Sequence, residues 1–248
     1  MIGYLLAIVI GFTLGTLGGG GSILTVPVFV YALGYDPKLA IAMSLPVVGT
    51  AALVGVVSHW RAGHVRLQTA AIFGAVAMVG SYAGATASQW LTGRVQLLIL
   101  GGVMLAAAVA MFRHAAGVAT DESAAPPHRL LMLVVGFGVG LLTGVIGIGG
   151  GFLIVPALVI LGRVPMKAAV GTSLLVIAMN SLSGYLGHSG HVTLPWPFIA
   201  RFTATAVVGI VTGAALVKHV PTRQLKRAFS LLLVVLGVLI LWQNRGQL

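Results

Sequence analysis

Long apolar runs separated by short polar breaks dominate the chain. The runs fall at residues 2–33, 39–58, 67–91, 95–113, 129–161, 168–187, 195–217 and 224–243. A bilayer core takes about 20 apolar residues per helix, so these eight runs predict an all-α polytopic membrane protein. Residues 2–33 as one unbroken helix would measure about 48 Å, against a hydrocarbon core of about 30 Å. The first run also carries GTLGGGGSILTVP at residues 15–27, with four consecutive glycines from Gly18 to Gly21. Each glycine costs about 1 kcal/mol relative to alanine inside a helix, so the run is expected to break there. The break leaves a second half-helix with Ser22 as its N-cap, and Pro27 farther in adds a kink. Non-helical backbone at membrane depth is tolerated only where protein buries it or where it lines a wet cavity.

The same device recurs. GVIGIGGGFLIVP at residues 144–156 lies over the first motif at an offset of 129, matching Gly15, Gly18, Gly20 and Gly21 to Gly144, Gly147, Gly149 and Gly150. Pro27 meets Pro156, Lys38 meets Lys167, Ser44 and Leu45 meet Ser173 and Leu174, and His59 meets His188 at that offset. After a two-residue slip, GHVRL at 63–67 meets GHVTL at 190–194. The chain therefore reads as two homologous four-segment repeats, residues 1–113 and 129–248, joined by a polar linker at 114–128. If every segment crosses once, the repeats are parallel. If each glycine-bearing segment turns back within the membrane, they are inverted. The sequence leaves both arrangements open.

Composition sharpens the class. Of 248 residues, 58% are hydrophobic and 7% charged, with a mean hydropathy of +1.09, whereas soluble domains carry roughly 25% charged residues. Fourteen Lys and Arg stand against Asp36, Asp121 and Glu122, but they fall between the apolar runs and form no basic stripe interleaved with aromatics. Loop and headgroup contacts account for them, so the lipid bilayer is the expected partner and nucleic acid is not. With every segment counted as a crossing, eight cations fall on one side and six on the other. That weak bias leans toward both termini outside the cytoplasm. There is no cysteine, which excludes disulfides and thiolate metal sites. The N-terminus MIGYLLAIVIGFTLG lacks a basic leader and a polar exit and reads as a retained span.

Exposed N–H groups at a half-helix start, backed by the positive end of its dipole, make an anion site. Paired Gly-interrupted segments in repeated halves point to a transporter substrate site near the midplane. The expected substrate-binding set is Gly18, Gly19, Gly20, Gly21 and Ser22 with Gly147, Gly149, Gly150 and Gly151. To these are added the hydroxyls of Ser44, Thr172 and Ser173 and the carboxamide of Asn180, whose first-half counterpart is Ala51. A competing account is close helix packing, since Gly11 with Gly15 and Gly140 with Gly144 have small-xxx-small spacing. His59 and His188, at equivalent helix ends, are the candidates for proton coupling; His64 and His191 read as turn residues. No metal site is expected, because neither carboxylate nor cysteine accompanies the histidines. Trp60, Trp90, Trp196 and Trp242 near segment ends form an aromatic belt, and Arg201 snorkels to headgroups. All three acids lie in predicted loops and HExxH is absent, so an enzyme is not expected. A passive anion channel is the alternative to a carrier.

The twin motifs GTLGGGGSILTVP and GVIGIGGGFLIVP, each followed by a KxAxxxSL-like element and a His/Gly loop (HWRAGHV, HSGHV), resemble the TauE/SafE family of sulfite exporters, of the four-toluene-sulfonate-uptake-permease type. The resemblance spans residues 3–243. It implies a multi-pass secondary transporter of the bacterial inner membrane, without cofactor, moving small sulfur-containing anions such as sulfite, sulfonates or sulfoacetate. It sets neither direction, coupling ion nor oligomeric state.

Overall fold

The computed structural model describes residues 2–116, 129–147, 150–188, 193–217 and 219–245. Their helices are α1 (Ile2–Leu17), α2 (Gly20–Pro27), α3 (Pro37–Arg61), α4 (Leu67–Ala87) and α5 (Gly93–Ala116), then α6 (Arg129–Ile146), α7 (Gly151–Pro156), α8 (Met166–His188), α9 (Trp196–Val217) and α10 (Thr222–Asn244). Among the described residues, six of these, α3, α4, α5, α8, α9 and α10, are long and apolar enough to cross a membrane.

The remaining four form two hairpins, which accounts for the excess length of the first and fifth runs. Gly21 packs against Leu14, where an added Cβ would lie 2.5 Å from the Leu14 Cβ. A Cβ on Gly3 would lie 3.2 Å from Cδ2 of Leu33. The chain that enters along α1 thus returns along α2 to the end where it began. Sixteen residues of α1 reach about 24 Å, most of the way through a bilayer core. Pro27 and Pro156 lack the N–H that would continue the helical ladder, and each is followed by a π-helical turn, Val28–Ala32 and Ala157–Leu161. Thr143 of α6 packs against Gly150 in the second hairpin.

Helix directions follow from the contacts. α3 starts beside Leu33, and Gly93 at the start of α5 would place a Cβ 2.8 Å from that of Pro37. This end, from which α3 and α5 start, is termed the upper end; α10 finishes there, with Asn244 Nδ2 donating to Tyr31 Oη at 2.7 Å. α6 lies parallel to the rising α4, Gly136 against Phe73 and Gly144 against Ser81, so the second hairpin enters from the lower end. α1 lies parallel to the descending α9, Gly11 against Ala206 and Gly15 against Ile210. Along both seams, a Cβ on Gly11, Gly15 or Gly144 would collide with a backbone carbonyl of the neighbouring helix, and one on Gly136 would press on Phe73 O at 3.1 Å. Here the small-xxx-small spacing performs the packing role. α3 and α8 cross antiparallel at the centre, with Gly49 against Ser181.

α3 opens with Asp36 as N-cap, its carboxylate accepting from Lys38 N at 2.9 Å and Leu39 N at 3.4 Å. Phe29, Phe73, Phe152, Phe202 and Phe229 are fully buried. Leu53, Val79, Val208 and Val235 point outward, as a lipid-facing surface requires. All four tryptophans are exposed at helix ends.

Candidate functional site where two hairpins meet

Each hairpin turns on a glycine with left-handed backbone. Gly18 has φ 69° and Gly147 has φ 73°, and their N–H groups close the preceding helix onto Leu14 O at 2.9 Å and Thr143 O at 2.8 Å. Residues with a Cβ resist this conformation. Gly150, at φ 80°, is the N-cap of α7, and Gly19 is the N-cap of α2. The expectation that Ser22 caps the half-helix is corrected. The helix starts two residues earlier, and Ser22 Oγ donates to Gly19 O at 2.7 Å.

The two turns meet in the protein interior. Gly19 lies against Gly151 so closely that a Cβ on Gly19 would collide with the Gly151 carbonyl. A Cβ on Gly151 would sit 2.6 Å from Gly19 Cα and 2.9 Å from Ser22 Oγ. Around this contact two further approaches match at the offset of 129. Ser44 Oγ donates toward Gly147 O at 3.0 Å, and Ser173 Oγ would be 2.6 Å from a Cβ on Gly18. The structure thus gathers Gly18, Gly19, Gly21, Ser22, Ser44, Gly147, Gly150, Gly151 and Ser173 in one buried region. Gly20 packs beside them against Leu17 and Leu232. Gly149 and the His188 side chain lie outside the described residues.

The hydroxyls are engaged with backbone. Ser44 Oγ also contacts Ile41 O at 2.8 Å, and Ser173 Oγ donates to Val170 O at 2.8 Å. Thr172 Oγ1 accepts from Arg66 N at 3.0 Å. In this conformation Thr172 therefore fastens the α3–α4 loop rather than facing the hairpin tips. Asn180 differs: it is wholly buried, and neither Oδ1 nor Nδ2 has a partner. It stands one helical turn beyond Ile177, whose Cδ1 would lie 2.5 Å from a Cβ on Gly151. Its neighbour Ser181 is likewise buried with an unpartnered Oγ. Buried polar groups are nearly always satisfied, and each orphan costs about 1–3 kcal/mol.

His59 is buried rather than interfacial, at 1% exposure. Its Nε2 lies 2.9 Å from Gly15 O, and a carbonyl partner requires that nitrogen to carry the proton, leaving Nδ1 as the unpartnered atom. The His64 ring is 6.2 Å away, and the His64 carbonyl presses on Gly171, where a Cβ would collide. The loop at the lower end thus closes over the tip of the first hairpin.

Comparison with known proteins decides the family. The family model for sulfite exporter TauE/SafE matches residues 4–240. The chain belongs to the TauE/SafE sulfite exporter family. A probable membrane transporter protein of Xylella fastidiosa (strain 9a5c) is 33% identical over 248 aligned residues, covering 96% of this chain and 94% of that protein. The probable membrane transporter protein YunE of Bacillus subtilis (strain 168) is 28% identical, covering 97% and 98%. No solved structure matches. These names are those of transporters, and this TauE/SafE protein is a membrane transporter.

One residue of this TauE/SafE chain escaped the sequence reading. Gln96, 2% exposed, donates from Nε2 to Val145 O at 2.7 Å and so tethers the end of α6 before its turn. A lone amide opening the run 95–113 was its only signal.

Proposed function

We propose that the protein is a secondary transporter of small sulfur-containing anions of the sulfite, sulfonate or sulfoacetate type, working by alternating access in the bacterial inner membrane. The observation that carries this reading is the meeting of two oppositely entering hairpins at Gly19 and Gly151, beside the unpartnered Asn180. Half-helix N-termini that converge from opposite ends supply N–H donors and positive dipole ends to an anion. The two halves are inverted repeats, because each contributes one hairpin and three crossings. Rocking one half against the other would part the hairpins and expose the site first to one end and then to the other.

The hairpins also re-sort the charges. Lys38, Arg94, Arg201 and Arg245 belong to the upper end. At the lower end stand Arg61 and Arg66 around the α3–α4 loop, Arg113 and Arg129 flanking the linker, Arg163 and Lys167 before and in α8, and Arg223, Lys226 and Arg227 opening α10. By the positive-inside rule this excess supports a cytoplasmic lower end with both termini outside, a stronger bias than that obtained when every segment was counted as a crossing. Export of an anion is then favoured by the inside-negative potential, by about 2.3 kcal/mol per charge per 100 mV. His59, fastened to the first hairpin through Gly15, is the group through which protons would couple.

The test is counterflow of labelled sulfite and sulfoacetate in proteoliposomes. A carrier accelerates tracer uptake against trapped unlabelled anion, whereas a passive channel does not. Gly20→Leu and Gly151→Leu should each abolish flux while the protein inserts normally. Wild-type flux in both would remove the hairpin tips as the site.

A further inference from the structure

Most of the cations sit where the positive-inside rule wants them, which explains them without function. The four at the upper end are not explained that way, and two of these line one cavity. It measures about 840 Å³ and is walled by Tyr31, Lys38, Gln89, Trp90, Arg94 and Asn244, among others. Close packing of the α3 and α5 starts brings the cations together. A Cβ on Gly93 would lie 3.4 Å from Lys38 N and 3.6 Å from Lys38 Cγ, and Arg94 follows directly in the chain.

Asp36 is the acid in the lining; its Oδ1 caps α3, and its charge offsets one of the two cations, leaving the cavity net positive. Arg245, which follows the lining residue Asn244 in the chain, stacks over Trp242 with its guanidinium carbon 5.1 Å from the ring centroid. Two further features favour an anion. The start of α5, a helix of 24 residues, opens into this cavity, so its dipole adds to the two side-chain charges. The pair is also duplicated: at the offset of 129, Lys38 and Arg94 correspond to Lys167 and Arg223, which belong to the opposite end of the molecule. The two cations thus recur in the second half, at the end where the positive-inside rule also accounts for them. Leu97 lines the cavity next to Gln96, which holds the α6 end of the second hairpin, so the cavity adjoins the proposed route.

We infer that the upper-end cavity is an anion-recruitment site, in which Lys38 and Arg94 hold a small oxyanion at the outer mouth before or after its passage between the hairpins. This rests on the anion-transport reading above. The same chemistry would also take the phosphate of a lipid headgroup, so the test separates the two sources.

Full-length protein in phosphatidylcholine nanodiscs is titrated with sodium sulfate by calorimetry, as wild type, Lys38→Gln/Arg94→Gln and Asn180→Leu. The expected result is binding that weakens at least tenfold in the double variant, survives in Asn180→Leu, and returns in Lys38→Arg/Arg94→Lys. Wild-type affinity in the double variant overturns the inference, as does absence of sulfate binding by the wild type in both phosphatidylcholine and phosphatidylglycerol nanodiscs without lipid retention. Phosphatidylglycerol that stays bound to the wild type and is lost from the double variant identifies the headgroup as the source of the oxyanion. Sulfite flux is measured on the same preparations. Absence of flux with intact sulfate binding refutes the transport reading while leaving the recruitment site standing.

Discussion

Asn180→Leu separates a structural from a functional role for the buried carboxamide. Asn180 is wholly enclosed, and both its polar atoms lack partners. Two orphaned groups at about 1–3 kcal/mol each place the cost of keeping this side chain at about 2–6 kcal/mol. Leucine reproduces the branching at Cγ, and its bulkier methyls cost about 1–3 kcal/mol in a packed core. At mid-range, about 4 kcal/mol gained against about 2 lost, the balance is a variant more stable by about 2 kcal/mol. For a chain of this size that corresponds to an apparent Tm higher by roughly 4–8 °C, read as a midpoint at fixed scan rate because membrane proteins commonly unfold irreversibly. Flux of sulfite in proteoliposomes should fall at least tenfold, since the carboxamide leaves both a donor and an acceptor unused one helical turn beyond Ile177, which packs on Gly151. Stabilisation with loss of function marks a site kept for its ligand. A variant that melts lower and transports normally would refute the reasoning, because it would show the amide to be satisfied within the fold.

The remaining predictions test sidedness, the lower loop and the α3 cap. Because the chain has no cysteine, Gln89→Cys should be labelled by a membrane-impermeant maleimide in intact cells and Arg223→Cys only after permeabilisation; the reverse pattern overturns the orientation. Thr172→Val removes the acceptor for Arg66 N, worth about 1–1.5 kcal/mol. Amide exchange in residues 62–66 should rise roughly tenfold, and unchanged exchange would show that this bond does not hold the loop. Asp36→Ala removes the α3 N-cap and should lower stability by about 1 kcal/mol, measured as a fall in the thermal midpoint.

Much of the architecture was legible because it is written in hydrophobic run length and glycine position. The break at Gly18, its partner at Gly147 and the central position of Ser44 and Ser173 all follow from the motif and its offset. Side-chain roles were less legible. Thr172 and Ser22 carry hydroxyls suited to an anion, yet local geometry commits them to Arg66 N and Gly19 O. His59 is legible only as a helix-end residue, two positions before the end of α3; the long reach of α1 is what buries it. The two halves also differ where the lower loop docks. Gly171 admits the His64 carbonyl, whereas the corresponding first-half residue is Ala42, whose Cβ would occupy that approach.

The direction of each segment was the least legible property, and the reason is one of parity. A kinked crossing and a hairpin of the same composition have the same hydropathy, so no count of apolar residues distinguishes them. The distinction lies in whether Gly18 turns the chain back, which its φ of 69° and the return of Leu33 to Gly3 establish. Turning back once shifts every later loop of the first half to the opposite end, and turning back again after Gly147 restores the register for α8 to α10. Arg61, Arg66 and Arg113 thereby join Arg163, Lys167 and the α10 cations at one end, and an eight-to-six scatter becomes a strong asymmetry. A conformational choice at two glycines thus sets which cations share an end of the transporter, nine of those named above at one end and four at the other.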